Sequence, residues 1–250
     1  MKTKIILILT TLLFSFSYSQ NTGKLVVYNF YKVNEGRMVS YENVMKHFIS
    51  GIQKKMIEEG CKDGWIFRKV DPTTEMSNYI SHYTIDIYEN GQKPCDANWN
   101  DVFPNLPSEL IDELRTTHQQ NRKRIYVARL GEVAHYNKNN KPAQYSIVNL
   151  MRVNNLTKYS KKHRESTKGV FEKYTSRQLW SANNRLDPES YGIEEWNYLT
   201  VDGFSSKSEA MKGQNIPQKV VSDSNKKYGM NNEMRTINKR IISNLIMYLD

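Results

Sequence analysis

Two asparagines sit where a polar side chain is least expected. Asn29 and Asn149 each lie mid-run among apolar residues, in Tyr28-Asn29-Phe30-Tyr31-Lys32-Val33 and Val148-Asn149-Leu150-Met151-Arg152-Val153. A buried amide left without partners costs about 1–3 kcal/mol, so a matched pair asks for a reason. One reading aims each amide into a pocket, where it orients a substrate oxygen. The other makes it a structural group bonded to a neighbouring loop or bulge. Two acids and two arginines accompany them. Asp86 and Asp202 close Thr84-Ile85-Asp86 and Thr200-Val201-Asp202, and Arg124 and Arg240 sit in Lys123-Arg124-Ile125 and Lys239-Arg240-Ile241. Each Asp–Arg set makes either a structural ion pair at the strand ends or a charged pocket mouth. His82 shares a strand face with Thr84 and Asp86, and a histidine beside a carboxylate has the makings of a general base. Tyr198 holds the matching place in the second set, so that role is confined to one half. Asn29, His82, Asp86, Asn149 and Asp202 are the catalytic candidates. Trp65, Trp99, Trp180 and Trp196 either line a ligand cleft or pack as sheet core. Trp65 and Trp196 join the asparagines as candidate ligand contacts.

Other chemistries lack their residues. The five histidines form no H-x-x-x-H or Cys/His cluster, so no standard metal site is visible. No phosphate-binding loop, dinucleotide fingerprint or nucleophile elbow occurs.

The elements that must position these residues occur twice. Val33 returns as Val153 at an offset of 120, while Asp71-Pro72, Thr84-Ile85-Asp86 and Lys123-Arg124-Ile125 return at 116. That period exceeds any solenoid unit, which spans about 20–50 residues, and reads as a duplicated small domain. In the first copy, residues 25–33 alternate as a strand. Val44, Phe48, Ile52 and Met56 mark an amphipathic helix ending near Gly60. Strands follow at 64–70 and 79–88, a helix at 106–119 with Leu110 and Leu114 on one face, and a strand at 125–133. The second copy gives strands at 145–153, 179–186, 193–201 and 237–248. Its long helix carries Tyr159, His163, Thr167, Val170 and Tyr174 on one stripe, and Gly213 and Pro217 interrupt its second helix. The order is β-α-β-β-α-β, a ferredoxin-like unit, in residues 20–136 and again in 144–250, joined by a polar linker at 137–143. One such sheet leaves a bare apolar face that must be covered. Two in one chain bury each other intramolecularly, which predicts an α+β intrachain barrel, a monomeric pseudo-dimer.

Residues 1–19 read as a signal peptide. Lys2 and Lys4 precede the apolar run Ile5–Phe16, and Ser17 and Ser19 set a cut before Gln20. The run is shorter than the ~20 residues a membrane helix needs, so no stable membrane span is expected and the mature chain is secreted or periplasmic. The net charge is +10, of which Lys2 and Lys4 supply two. The remaining basic residues are scattered in patches too short for an interaction tail, and export argues against a nucleic-acid partner. Both cysteines lie in the first copy: Cys61 just before its second strand, Cys95 just beyond its third. Antiparallel pairing sets those ends side by side, which predicts a disulfide worth roughly 3–4 kcal/mol.

The Asn-x-hydrophobic-x-Val pattern of the first strand, the Gly64-Trp65 start of the second and the Thr-hydrophobic-Asp-x-aromatic end of the third resemble the dimeric α/β-barrel superfamily. That group includes antibiotic-biosynthesis-type and haem-degrading monooxygenases. The resemblance spans most of the mature chain and implies a barrel with a pocket between sheet and helices. The haem-degrading branch uses a first-strand Asn, a Trp ending the third strand and a His on the second helix. Asn29 and Asn149 match the first, Asp86 and Asp202 replace the second, and the third is absent from 208–213, with His118 a loose substitute. The expectation is therefore a small apolar or aromatic ligand without haem or another cofactor. A cofactor-independent monooxygenase or a non-catalytic envelope protein are the alternatives.

Overall fold

A computed structural model of the chain describes residues 23–250, except 90–91, 93–94, 174–175, 188–195 and 214–216. The signal-peptide reading, Tyr174 and Pro188 lie outside the described residues. Eight strands carry the architecture: β1 (Leu25–Val33), β2 (Gly64–Val70), β3 (His82–Tyr88), β4 (Arg122–Asn137), β5 (Tyr145–Val153), β6 (Arg177–Arg185), β7 (Tyr198–Phe204) and β8 (Arg235–Leu249). They form a closed barrel in the order β1-β3-β2-β8-β5-β7-β6-β4, antiparallel throughout. Each half contributes one run, β4-β1-β3-β2 and β8-β5-β7-β6.

Closure depends on the long fourth strand of each half. β4 pairs with β1 through residues 122–131, then continues past the expected end at Val133 to pair Ala134–Asn137 with β6. β8 likewise pairs with β5 and then with β2. The end at Val133 falls short because the last residues of β4 pair only across halves, a partnership no local pattern encodes. β7 begins at Tyr198 and runs on to Phe204, three residues past the expected end at Val201.

Alternation along β1 and β5 sorts side chains between two layers. Tyr28, Phe30, Tyr83, Ile85, Val148, Leu150 and Val201 point inward and form the barrel core. Residues of opposite parity point outward to the helices. Over the first half these are α1 (Met38–Val44), a π-helical turn at Met45–Ile49, α2 (Ser50–Glu58), α3 (Trp99–Val102) and α4 (Ser108–Gln120); over the second, α5 (Leu156–Lys173), α6 (Lys207–Gly213) and α7 (Gln218–Tyr228). The π turn re-aims the first helix. Its buried stripe is Tyr41, Met45, Ile49 and Ile52 rather than the regular Val44–Phe48–Ile52–Met56 pattern. On α4 the inward residues are Ile111 and His118, not Leu110 and Leu114; Leu110 is exposed.

Cys61 and Cys95 form the expected disulfide, with Cα atoms 5.4 Å apart. Gly203 is the strand glycine that packing demands. A Cβ there would meet Ala143 Cβ at 2.6 Å and Leu179 Cβ at 2.8 Å. Gly203→Ala should therefore destabilise the fold by about 1–3 kcal/mol through overpacking, read as a lowered denaturation midpoint with unchanged slope.

Candidate functional site

A cavity lies between sheet and helices in each half, about 520 Å³ in the first and 380 Å³ in the second. Strand register shows how closely they correspond. Asn29 pairs with Thr84 and Asn149 with Thr200. Trp65 lies opposite Asp86, and Trp180 lies opposite Asp202. The two cavities thus share a matched set, Asn29, Thr84, Asp86 and Trp65 in the first and Asn149, Thr200, Asp202 and Trp180 in the second. Trp180, not Trp196, is the counterpart of Trp65. Trp196 is 1% exposed in the barrel core with the Arg185 guanidinium 4.6 Å from its ring centroid, away from either cavity. The spacing from Trp to the strand-three Asp carries this signal in the sequence.

The register also corrects the arginine pairing. Asn29 faces Val127 on β4, whereas Asn149 faces Arg240 on β8, and Val33 faces Arg122 as Val153 faces Arg235. Arg124 and Arg240 are therefore not counterparts; Arg122 and Arg235 are. Neither expected Asp–Arg ion pair forms. Asp86 is bridged by Lys62, which also bonds Gln53, and Asp202 by Arg177 at 3.2 Å. The cation that neutralises each acid enters from just before β2 in one half and from the start of β6 in the other.

The two sites differ in what they leave unsatisfied. Asn149 donates to Thr200 Oγ1 and Asp202 Oδ2, both at 3.2 Å, and accepts from Arg240 Nε at 3.0 Å. Asn29 donates to Asp86 Oδ2 at 3.0 Å, and Val127 stands where Arg240 would close its amide oxygen. The contrast repeats nearby. Arg235 Nη1 donates to the Tyr159 hydroxyl at 2.9 Å, and His163 Nδ1 lies 3.4 Å from the Tyr198 hydroxyl. In the first half, Tyr41 Oη, His118 Nδ1 and Arg122 Nη1 are buried with no hydrogen-bond partner. His118 stacks on Tyr41 at 5.7 Å, and the Arg122 guanidinium lies 3.9 Å from the Tyr31 ring centroid and 6.0 Å from that of Tyr41. Burial and the Arg122 charge hold the His118 imidazole neutral, lowered to about 3, and burial pushes the Tyr41 hydroxyl up, out of the titratable range.

His82 has a different place. It is fully buried beneath α1, with Nδ1 3.1 Å from Ser81 Oγ and Nε2 3.2 Å from Glu42 Oε1, and it does not line the cavity. Its role is to tie α1 to β3. Among the described residues the His/Cys/Asp/Glu grouping close enough to hold a metal ion contains both disulfide cysteines, Cys61 and Cys95, with Glu59, so its sulfurs are not free thiolates.

Charge completes the description. The first cavity is lined by Lys62, Arg115, Arg122 and Arg124 against Asp86 and Asp96; the second by Arg177, Arg235 and Arg240 against Asp202. Both walls carry an excess of positive charge.

No family model and no curated protein matches this chain. Solved structures do. A candidate monooxygenase from Fusobacterium nucleatum aligns over 91% of this chain and 94% of its own, with a TM-score of 0.53 at 12% identity. A candidate monooxygenase from Lactobacillus acidophilus covers 91% and 99%, with 0.52 at 11%. An anthrone oxidase-like protein covers 91% and 93%, with 0.51 at 7%. The chain has the dimeric α/β-barrel fold. At these identities the likeness establishes the fold alone. No helix among the described residues is long and apolar enough to cross a membrane.

Proposed function

We propose that the protein binds a small aromatic or apolar ligand with an acidic end, in the sheet–helix pocket of the first half. The observation that carries this reading is the contrast at the matched arginines: Arg122 Nη1, on the first cavity wall beside His118, is buried without a hydrogen-bond partner, whereas its counterpart Arg235 donates to the Tyr159 hydroxyl. Buried polar atoms left open are costly, and an anionic group in the cavity accepts from the guanidinium. Trp65, Trp99 and Tyr31 supply the aromatic wall, and Asn29 Oδ1 accepts from a ligand hydroxyl. The second-half pocket closes the same positions with its own side chains and is the weaker site.

The chain is, on this reading, two ferredoxin-like units in tandem that make a monomeric pseudo-dimer. It is exported after cleavage near Gln20, which the disulfide supports. Haem fits the first pocket poorly. His118 offers a neutral imidazole, but the Lys62–Asp86 ion pair stands where the haem-degrading branch has an aromatic side chain. A second reading, a cofactor-independent monooxygenase acting on a phenolic substrate, uses the same pocket, with Asn29 and Asp86 steering deprotonation. Oxygen uptake lost in Asn29→Ala would favour it.

A thermal-shift comparison tests the proposal. Naphthoate should raise the melting temperature and naphthyl alcohol should not, while haemin should leave its Soret band unmoved. Equal stabilisation by the neutral alcohol, or a shifted Soret band, would refute the assignment.

A further inference from the structure

A third cavity, about 370 Å³, opens inside the barrel on the opposite face of the sheet from the two helix-covered pockets. Two sheets that bury each other should interdigitate at close-packed density, so a void this size within the barrel calls for an occupant. Its walls are Val26, Ile66, Ile85, Ile87, Leu179 and Val201.

Arg68 projects into this apolar chamber and is 3% exposed. Its guanidinium is held by neutral groups: the Ala143 carbonyl at 2.9 Å, the Gln144 carbonyl at 3.2 Å, and Ser243 through Oγ at 3.0 Å and its carbonyl at 3.3 Å. No ion pair joins Arg68 to a carboxylate among the described residues. Of the carboxylates on the lining, Glu132 is engaged by His135 Nδ1 at 3.1 Å and Asp63 accepts from Gln92 Nε2 at 2.9 Å. The Asn183 amide oxygen, on the same lining, is buried without a hydrogen-bond partner. A buried cation without a counter-ion costs several kcal/mol, and four neutral partners hold this one in place rather than neutralise it. The mouth is formed by Asn140 and Lys141 of the segment joining the halves and by the chain end at Leu249 and Asp250.

We infer that the barrel interior is a second binding site, which takes an aliphatic carboxylic acid with its head on Arg68 and its chain along Val26, Ile66 and Ile85. The carboxylate supplies the missing counter-ion by accepting from the N–H that remains on Nη1, and the chain fills the apolar void. This site shares no strand face with the helix-side pockets, so it stands or falls separately from them.

Titration calorimetry of the full chain with decanoate, decanol and decylamine is the test. Decanoate should bind at a site that saturating naphthoate leaves free, and the amine should not bind there. Arg68→Met should weaken decanoate at least tenfold. Ile85→Trp and Val201→Phe fill the chamber while keeping Arg68, and each should abolish binding; these two variants keep the test open if Arg68→Met fails to fold. Asn29→Ala should leave decanoate affinity unchanged, and naphthoate should not compete. The inference is overturned if decanoate fails to bind, if decylamine binds equally well, if both filled-chamber variants bind as wild type, or if naphthoate displaces the acid.

Discussion

Reduction of the Cys61–Cys95 disulfide will lower the stability of the chain by roughly 3–4 kcal/mol, the chain-entropy value for a loop of this length. The two cysteines are separated by 34 positions. The loop they close holds β2 and β3 with the connection between them, and those strands shape one side of the first pocket. In a domain of this size each kcal/mol moves the midpoint by about 2–4 °C, so the Cys61→Ser/Cys95→Ser variant should melt roughly 6–16 °C lower. The effect reaches the site as well. Cys95, Asp96, Ala97 and Trp99 line the first cavity, while the cavity under α5 has no disulfide beside it. Ligand affinity in the first pocket should therefore fall on reduction. Calorimetric melting of oxidised and reduced protein decides the matter, and equal midpoints would remove the disulfide from the stability account.

Acidification will unfold the protein earlier than its surface charge implies. Burial holds three imidazoles neutral in the fold: His82 is lowered to about 4, His118 to about 3, and His163 well below its ordinary value. In the unfolded chain each titrates near 6.5. Their contribution is thus fully present above about pH 6.5 and is lost as the pH falls toward the folded-state values, because the unfolded chain takes up protons that the folded chain refuses. Each group costs up to about 1.4 kcal/mol per pH unit in that window. Glu42 and Asp71 act in the same direction further down. The Lys69 and His82 bonds to Glu42 outweigh its burial, and Thr73 and Lys207 bring Asp71 to about 2, so their stabilisation is present above the ordinary carboxylate range and fades below it. The melting temperature should drop steeply between about pH 6.5 and 4, with a shallower slope in His163→Gln. A flat profile across that interval would mean the imidazoles are solvated in the fold.

The sequence carried much of this arrangement, for local reasons. Period-two patterning put His82, Thr84 and Asp86 on one face of β3; Thr84 and Asp86 wall the first pocket, and His82 lies beyond it under α1. The disulfide followed from strand order. The errors come from features without a local signature. Lys123-Arg124-Ile125 and Lys239-Arg240-Ile241 match as text, yet the register pairs Val127 with Asn29 and Arg240 with Asn149. The connection before the last strand is one residue, Asn121, in the first half and residues 229–234 in the second, so a chance triplet masked a three-residue offset. Trp196 is the exception, grouped by residue type although the spacing to the strand-three Asp and the register both identify Trp180 as the partner of Trp65. Tyr41 comes from a helix far earlier in the chain than His118 and Arg122, which flank the junction of α4 and β4. No spacing announces that they meet, and still less that one half leaves unbonded what the other satisfies.

That asymmetry is the most direct point of test. Hydroxynaphthoate, whose hydroxyl can donate to Asn29 Oδ1, titrated calorimetrically into wild type, Asn29→Ala and Asn149→Ala separates the halves. The account predicts binding that weakens about tenfold, ~1.4 kcal/mol, in Asn29→Ala and is unchanged in Asn149→Ala. Equal loss in both variants, or loss confined to Asn149→Ala, would contradict it.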